Sequence, residues 1–261
     1  MKTKLTKCLV QRADRLGDVI FSLPVIEQLN KAYPNLEIHM LTSSIGSKIC
    51  NNHPKIAKVY QINVDHSLFS KAIRQVTKKL KQEKYDLYIS LWNHPRMALI
   101  GCLARIPIRI GDSTDLTLKW FYTHPVKQCW SDFTRHQIEF NQDLLAPLGL
   151  ANKKSIRKLY VESNPDFKNP KKTVLIFSGT GGSNFPIPLA TLQSFIKKIP
   201  DLDSYHFQLC GQDSSKELDI FAESNKIENL IGKTSLEELM ARINVCYILI
   251  TPDTGPAHMG S

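Results

Sequence analysis

"KCLVQRADRLGDVIFSLPVIEQLNKAY" (residues 7–33) decides the fold class. KCLVQ (7–11) is a short, mostly apolar run that reads as a strand. RADRLGDVIF (12–21) follows as a polar, glycine-containing connection. DVIFSLPVIEQLNKAY (18–33) then places apolar residues at 19, 20, 23, 26 and 29, the spacing of one helix face. Pro24 predicts a kink or a late start in that helix. The same order recurs along the chain. LEIHMLTS (36–43) alternates as a strand, and IRQVTKKLKQEK (73–84) is a helix with one apolar face. YDLYISLW (85–92) is a strand and MALIGCLAR (97–105) a helix. RHQIEFNQDLLAPLGL (135–150) is a helix closed by Pro147 and Gly149.

At 161–172 the character changes. VESNPDFKNPKK holds two prolines, two asparagines and a basic end, and reads as an interdomain linker. A second set follows: strand TVLIFS (173–178), loop GTGGSNFPIP (179–188) and helix LATLQSFIKKI (189–199). Strand YHFQLCG (205–211), helix KELDIFAES (216–224) and short strand ENLIG (228–232) come next. Helix SLEELMARI (235–243) opens on Ser235 with Glu238 three residues on, a capping box. Strand CYILIT (246–251) runs into a polar tail, TPDTGPAHMGS (251–261), read as a loop. Strands alternating with helices on both sides of a linker predict an α/β protein with two mostly parallel sheets, residues 1–160 and 173–261.

The 261 residues are 42% apolar and 22% charged, the balance of a globular protein with a real core. No stretch approaches the roughly 18 apolar residues of a membrane span. The basic N-terminus lacks the apolar run of a secretion signal, so the expected location is cytoplasmic. The six cysteines are far apart and form no C-x-x-C, so they read as reduced and structural, not as metal ligands. Charge is uneven. Residues 1–165 hold 25 Lys/Arg and 13 Asp/Glu, a balance of +12, whereas residues 166–261 balance at −2. The basic half fits an anionic partner: phosphate, nucleic acid or a lipid headgroup. No recognition helix, zinc finger or interleaving of aromatic and basic residues supports nucleic acid.

Three loops carry candidate chemistry. In the first, Gly17 permits a tight turn and helix-start N–H groups attract anions. Asp18 there has two readings, N-cap of the helix or general base at the edge of the sheet. The dinucleotide fingerprint G-x-G-x-x-G is absent. In SGTGGSNF (178–185), Ser178, Thr180 and Ser183 with Gly181 and Gly182 supply flexible N–H and O–H donors, the composition of a phosphate cradle. No Gly-Lys-Ser/Thr follows, so it is not a Walker A loop. In PDTGPAH (252–258), Asp253 can accept from a sugar hydroxyl, while Thr254, Gly255 and His258 can donate to a diphosphate. The competing reading is an Asx-turn beside a surface histidine.

Together, RLGDVIFSLPV (15–25), GTGGS (179–183) and TPDTGPAH (251–258) resemble glycosyltransferase family 9, the ADP-heptose:lipopolysaccharide heptosyltransferases. NLIGKTSLEELMARI (229–243) and RHQIEFNQDLLAPLGL (135–150) are also similar to that family's segments, in the right order. The resemblance implies a GT-B fold, two Rossmann-like domains facing a cleft. It implies inverting transfer of a heptose-like sugar from a nucleotide-diphosphate sugar, ADP-linked, to a lipopolysaccharide core or related phosphorylated glycolipid. No metal or other cofactor is implied, and Asp18 matches the family's base. Arg15 and Gly17 fall on the acceptor side. Ser178, Thr180, Gly181, Gly182, Ser183, Asp253, Thr254, Gly255 and His258 fall on the donor side, with Glu217 as the candidate acidic ribose contact. Peripheral contact with the anionic cytoplasmic face of the inner membrane is a further expectation.

Two departures stand out. The family's Lys-x-Trp-Pro is replaced by SNFP (183–186), with Ser183 in place of the phosphate-binding lysine. Family members also continue past D-T-G-x-x-H. The tail is therefore expected to lack its supporting helix, leaving the second domain truncated. The alternative reading is an inactive remnant that binds nucleotide or anionic glycolipid.

Overall fold

The computed structural model describes residues 5–63, 71–151, 159–161, 167, 171–179, 185–212 and 215–260. The chain divides into two compact units, Met1–Tyr160 and Val161–Ser261. Apart from residues 161, 167 and 171, the predicted linker up to residue 171 lies outside the described residues; Lys172 already belongs to a strand.

In the first unit, β1 (Lys7–Gln11), β2 (Glu37–Thr42), β3 (Lys58–Gln61), β4 (Leu87–Ser90), β5 (Ile108–Asp112) and β6 (His124–Val126) form one sheet. The order is β3-β2-β1-β4-β5-β6 and every pairing is parallel. That is the strand order of a doubly wound dinucleotide-type fold, whose order reverses between β1 and β4. Helices α1 (Leu16–Ile20), α2 (Leu23–Ala32), α3 (Ser44–Cys50), α4 (Lys71–Gln82) and α5 (Pro95–Leu103) connect the strands, and α6 (Gln137–Asp143) follows β6.

Strand side chains alternate between faces. Cys8, Val10, Leu87 and Ile89 join Val25, Ile26, Leu29 and Leu144 in one core. Leu9 and Tyr88 join Ile73, Leu80, Met97 and Ile100 in a second core on the other face. A sheet covered on both faces explains why β1 reads as a continuous apolar run.

The single helix expected over 18–33 is two helices. The break falls at Phe21–Ser22, and Pro24 sits in the first turn of α2, where its missing N–H removes no helical bond. Strands β3, β5 and β6 were not read from the sequence. β6 is three residues with Pro125, tolerable only on a sheet edge.

The second unit has β7 (Lys172–Phe177), β8 (Tyr205–Cys210), β9 (Glu228–Asn229) and β10 (Ile248–Ile250), ordered β10-β7-β8-β9 and all parallel. Helices α7 (Leu189–Lys198), α8 (Lys216–Ser224), α9 (Leu236–Val245) and α10 (Gly255–Gly260) complete it. Val174, Ile176, Phe207 and Leu209 pack with Leu192, Ile196 and Phe221. The order reverses between β7 and β10. The tail departs from expectation: it is a loop only to Thr254, and Gly255 opens α10, which packs on α9 and buries Met259. Among the described residues, no helix is long and apolar enough to cross a membrane.

Candidate active site

β1 ends at Gln11, and the next residue is a buried arginine. Arg12 is 5% exposed. Its Nε donates to Asp14 Oδ1 at 2.7 Å, and its Nη2 lies 2.8 Å from Asp18 Oδ1. Nη1 donates to the Leu91 carbonyl at 2.5 Å and reaches Asn141 Oδ1 at 3.4 Å. One guanidinium thus ties the end of β1 to the loop after β4 and to α6. A buried charge is tolerated when it is paired and hydrogen-bonded, and the planar arginine fork serves several acceptors at once.

The two carboxylates differ. Burial pushes the Asp14 carboxyl up despite Arg12, and the nearby Asp18 charge adds to the rise. The Asp14 side chain is 14% exposed and that of Asp18 28%, so Asp18 is the more accessible to an incoming hydroxyl. Asp18 Oδ1 faces Arg12, and among the described residues nothing hydrogen-bonds Oδ2. The N-cap reading of Asp18 does not hold. Arg15 is the N-cap of α1, without a side-chain cap bond, and Asp18 lies in the first turn. A carboxylate there suits the helix dipole. Gly17 is inside α1 and has no left-handed φ, so it is a helical residue and not a tight-turn hinge. Arg15 is exposed beside it.

Other groups gather at the same edge. His94 caps α5, its Nδ1 accepting the Arg96 N–H at 3.2 Å, with its ring 4.4 Å from that of Trp92. Burial and Arg96 hold the His94 imidazole below its ordinary range. Asp112, buried at the end of β5, accepts from Thr114, Asn93 and Trp130. Arg12, Asp14, His94 and Asp112 were not singled out from the sequence. For Arg12 the available signal was a cation directly after a strand, with carboxylates two and six residues on.

In the second unit, β7 and β10 are paired neighbours, with Ile176 opposite Ile250. Ser178 and the Thr251–Thr254 loop therefore leave one edge of the sheet side by side. Thr254 is buried, and its carbonyl accepts from Ala257 at 3.0 Å and His258 at 3.4 Å, opening α10 at Gly255. The Asp253 side chain is 79% exposed, its Oδ1 lying 3.8 Å from His258 Nε2, beyond hydrogen-bond range. Ser178 is buried and its hydroxyl turns toward the Cys210 carbonyl at 3.4 Å, joining the ends of β7 and β8. Glu217 is exposed in the first turn of α8, behind the cap Ser215, which accepts from Leu218 N–H. Thr180, Gly181, Gly182 and Ser183 lie outside the described residues. Among the described residues, no three His, Cys, Asp or Glu side chains gather as a metal-ligand set.

The family model for glycosyltransferase family 9 (heptosyltransferase) matches residues 73–261. Lipopolysaccharide heptosyltransferase 3 of Escherichia coli K12 is 26% identical, over 94% of this chain and 76% of its own length. The crystal structure of a family 9 glycosyl transferase from Veillonella parvula aligns with a TM-score of 0.84 at 22% identity, over 100% of this chain and 78% of that one. The E. coli heptosyltransferase WaaC, solved with ADP-2-deoxy-2-fluoro heptose, aligns with a TM-score of 0.79 at 15% identity, over 97% of this chain and 85% of that one. At such identities the two structures speak for the fold. The family match speaks for kinship: spanning most of the chain on a shared two-sheet fold, it shows that this protein belongs to glycosyltransferase family 9 and is a transferase.

Proposed function

We propose that the protein transfers a heptose-like sugar from a nucleotide-diphosphate sugar, ADP-linked, to a lipopolysaccharide core or related phosphorylated glycolipid. The relatives named for lipopolysaccharide heptosyl transfer and the ADP-heptose analogue held by WaaC support this substrate class. The acceptor is carried at the anionic cytoplasmic face of the inner membrane, and the first unit binds it. The second unit binds the donor.

The observation that carries the reading is Asp18, held through one carboxylate oxygen by a buried guanidinium at the reversal point of the first sheet. The Arg12 contact fixes the carboxylate's direction, and Oδ2 is the oxygen that meets the acceptor hydroxyl. Oδ2 removes the proton as that hydroxyl oxygen attacks the anomeric carbon. The C–O bond to the diphosphate breaks on the opposite face, so the anomeric configuration inverts. Charge develops on the leaving diphosphate and needs preorganised donors without a resident metal. Thr254, Gly255, His258 and the 178–183 loop are those donors in this reading, and Asp253 and Glu217 accept from sugar or ribose hydroxyls.

The test is Asp18→Asn, assayed with ADP-heptose and a lipopolysaccharide-core acceptor. Transfer falls by about a hundredfold or more, the usual size of a general-base contribution, while ADP affinity stays unchanged. A variant that keeps more than a few per cent of the wild-type rate removes Asp18 from the role of base.

A further inference from the structure

The first unit carries a surface that the transfer chemistry leaves unused. α4 turns Ile73, Thr77 and Leu80 inward and exposes Lys71, Arg74, Lys78, Lys79 and Lys81. Four of these, Lys71, Arg74, Lys78 and Lys81, recur at the spacing of one helical ridge. α4 contains no carboxylate, and among the described residues none of the five cations makes an ion pair. The nearest acidic residue in sequence, Glu83, is engaged by Lys7, Lys58 and Tyr60. Like charges at three- and four-residue spacing weaken a helix, so the ridge works against the helix that carries it.

The ridge has neighbours. α4 and α5 lie side by side on the same face of the sheet, and α5 packs against the short turn Lys119–Phe121. These two elements add Leu103 and Trp120 to the exposed surface, and Arg105, just past the end of α5, is exposed as well. Trp120 is 79% exposed, with Lys119 Nζ 5.1 Å from its ring centroid. An exposed indole is costly in water and well placed at a headgroup boundary, where its apolar body and N–H are both served. A ridge of cations and an exposed tryptophan on successively packed elements supply the two signals that a stable peripheral contact needs.

We infer that α4, α5 and Lys119–Phe121 form a docking face for an anionic phospholipid bilayer. The lysines and arginines meet headgroup phosphates, and Trp120 and Leu103 enter the boundary layer. This deepens the acceptor reading by naming the face of the first unit that meets the membrane.

The experiment is vesicle co-sedimentation of the full chain, without donor or acceptor. A null result there leaves the transfer chemistry standing, and retained transfer in Asp18→Asn, which would overturn the base assignment, leaves this face standing. The protein sediments with phosphatidylcholine vesicles containing roughly one-third phosphatidylglycerol, does not sediment with pure phosphatidylcholine, and is released by salt. Arg74→Gln, Lys78→Gln and Lys81→Gln together weaken binding roughly a hundredfold, about fivefold for each cation. These positions are exposed, glutamine keeps the helix and like-charge repulsion is relieved, so the melting temperature does not fall. Trp120→Ala abolishes the blue shift of tryptophan emission on vesicle addition. Equal binding to both vesicle types, or full binding by the triple variant, overturns the inference. So does displacement by poly(U) RNA with no effect of Trp120→Ala, which assigns the ridge to a polyphosphate chain.

Discussion

At the scale of single residues, Arg12 governs what Asp18 can do. Its three nitrogens reach Asp14, Asp18 and the Leu91 carbonyl together. Arg12→Ala leaves two neighbouring carboxylates without their cation and costs about 3–5 kcal/mol of stability by chemical denaturation. Arg12→Lys keeps the charge and loses the fork. The expected outcome is a nearly unchanged fold and a kcat at least tenfold lower, with the donor KM unmoved, since one ammonium cannot hold both carboxylates in place. A wild-type kcat in Arg12→Lys would reduce Arg12 to a simple counter-ion. His53 gives a second residue-level prediction. It is buried beside Tyr160, with Nε2 3.4 Å from Glu27, and burial holds its imidazole below the ordinary 6.5. Burial lowers His39 in the same direction. The unfolded chain therefore takes up these protons at higher pH than the folded one. Their stabilising effect is complete above about 6.5 and is lost as pH falls below it. The melting temperature should drop as the pH falls below about 6.5, and His53→Gln should flatten that slope; an unchanged slope would place the acid sensitivity elsewhere.

At the scale of elements, legibility followed the range of the forces involved. α9 was read almost to the residue because its start is written locally: Ser235 accepts from Glu238 N–H at 3.1 Å, and Glu238 answers to Ser235 N–H at 2.7 Å. Ser235→Ala should cost about 1 kcal/mol in denaturant melts. β5 was missed because its sequence, IRIGD, interrupts its apolar pattern with Arg109 and Gly111, and the reason for the glycine is tertiary. A Cβ at Gly111 would lie 2.3 Å from the Tyr122 ring, which is itself buried. Gly111→Ala should therefore destabilise the first unit by about 1–3 kcal/mol, and a smaller effect would mean that the ring can move aside. The site divided in the same way. Asp18 stood out in a local motif, but the partner that positions it is recognisable only when the ends of β1, β4 and α6 meet in space. The tail was misread for a related reason: GPAHMG begins with helix breakers, yet Met259 and Pro256 find buried places and the helix forms.

At the scale of the whole molecule, charge and topology assign opposite characters to the two units. Each unit presents its loops at a point where strand order reverses, the place where an open α/β sheet binds ligands. Yet residues 1–165 balance at +12 and residues 166–261 at −2. In the proposed reading both substrates are anionic, so the two binding steps must draw on different forces. The acceptor meets a long-range positive field, which concentrates it near the first unit and is screened by salt. The donor meets a unit with no net attraction, and its diphosphate depends on short N–H and O–H contacts around Thr254, Gly255 and His258. Such contacts are screened far less. Raising the salt from about 0.05 to 0.3 M, where the Debye length falls by more than half, should therefore raise the acceptor KM severalfold and change the ADP affinity by less than about twofold. Calorimetry with ADP and initial rates at saturating donor measure the two separately. His258→Ala should weaken ADP binding about tenfold at either salt concentration, the loss of one hydrogen bond to a charged group. Asp18→Asn should leave it untouched. If ADP affinity instead fell in step with the acceptor KM, both substrates would be drawn by the same basic field, and the donor would have to be reassigned to the first unit.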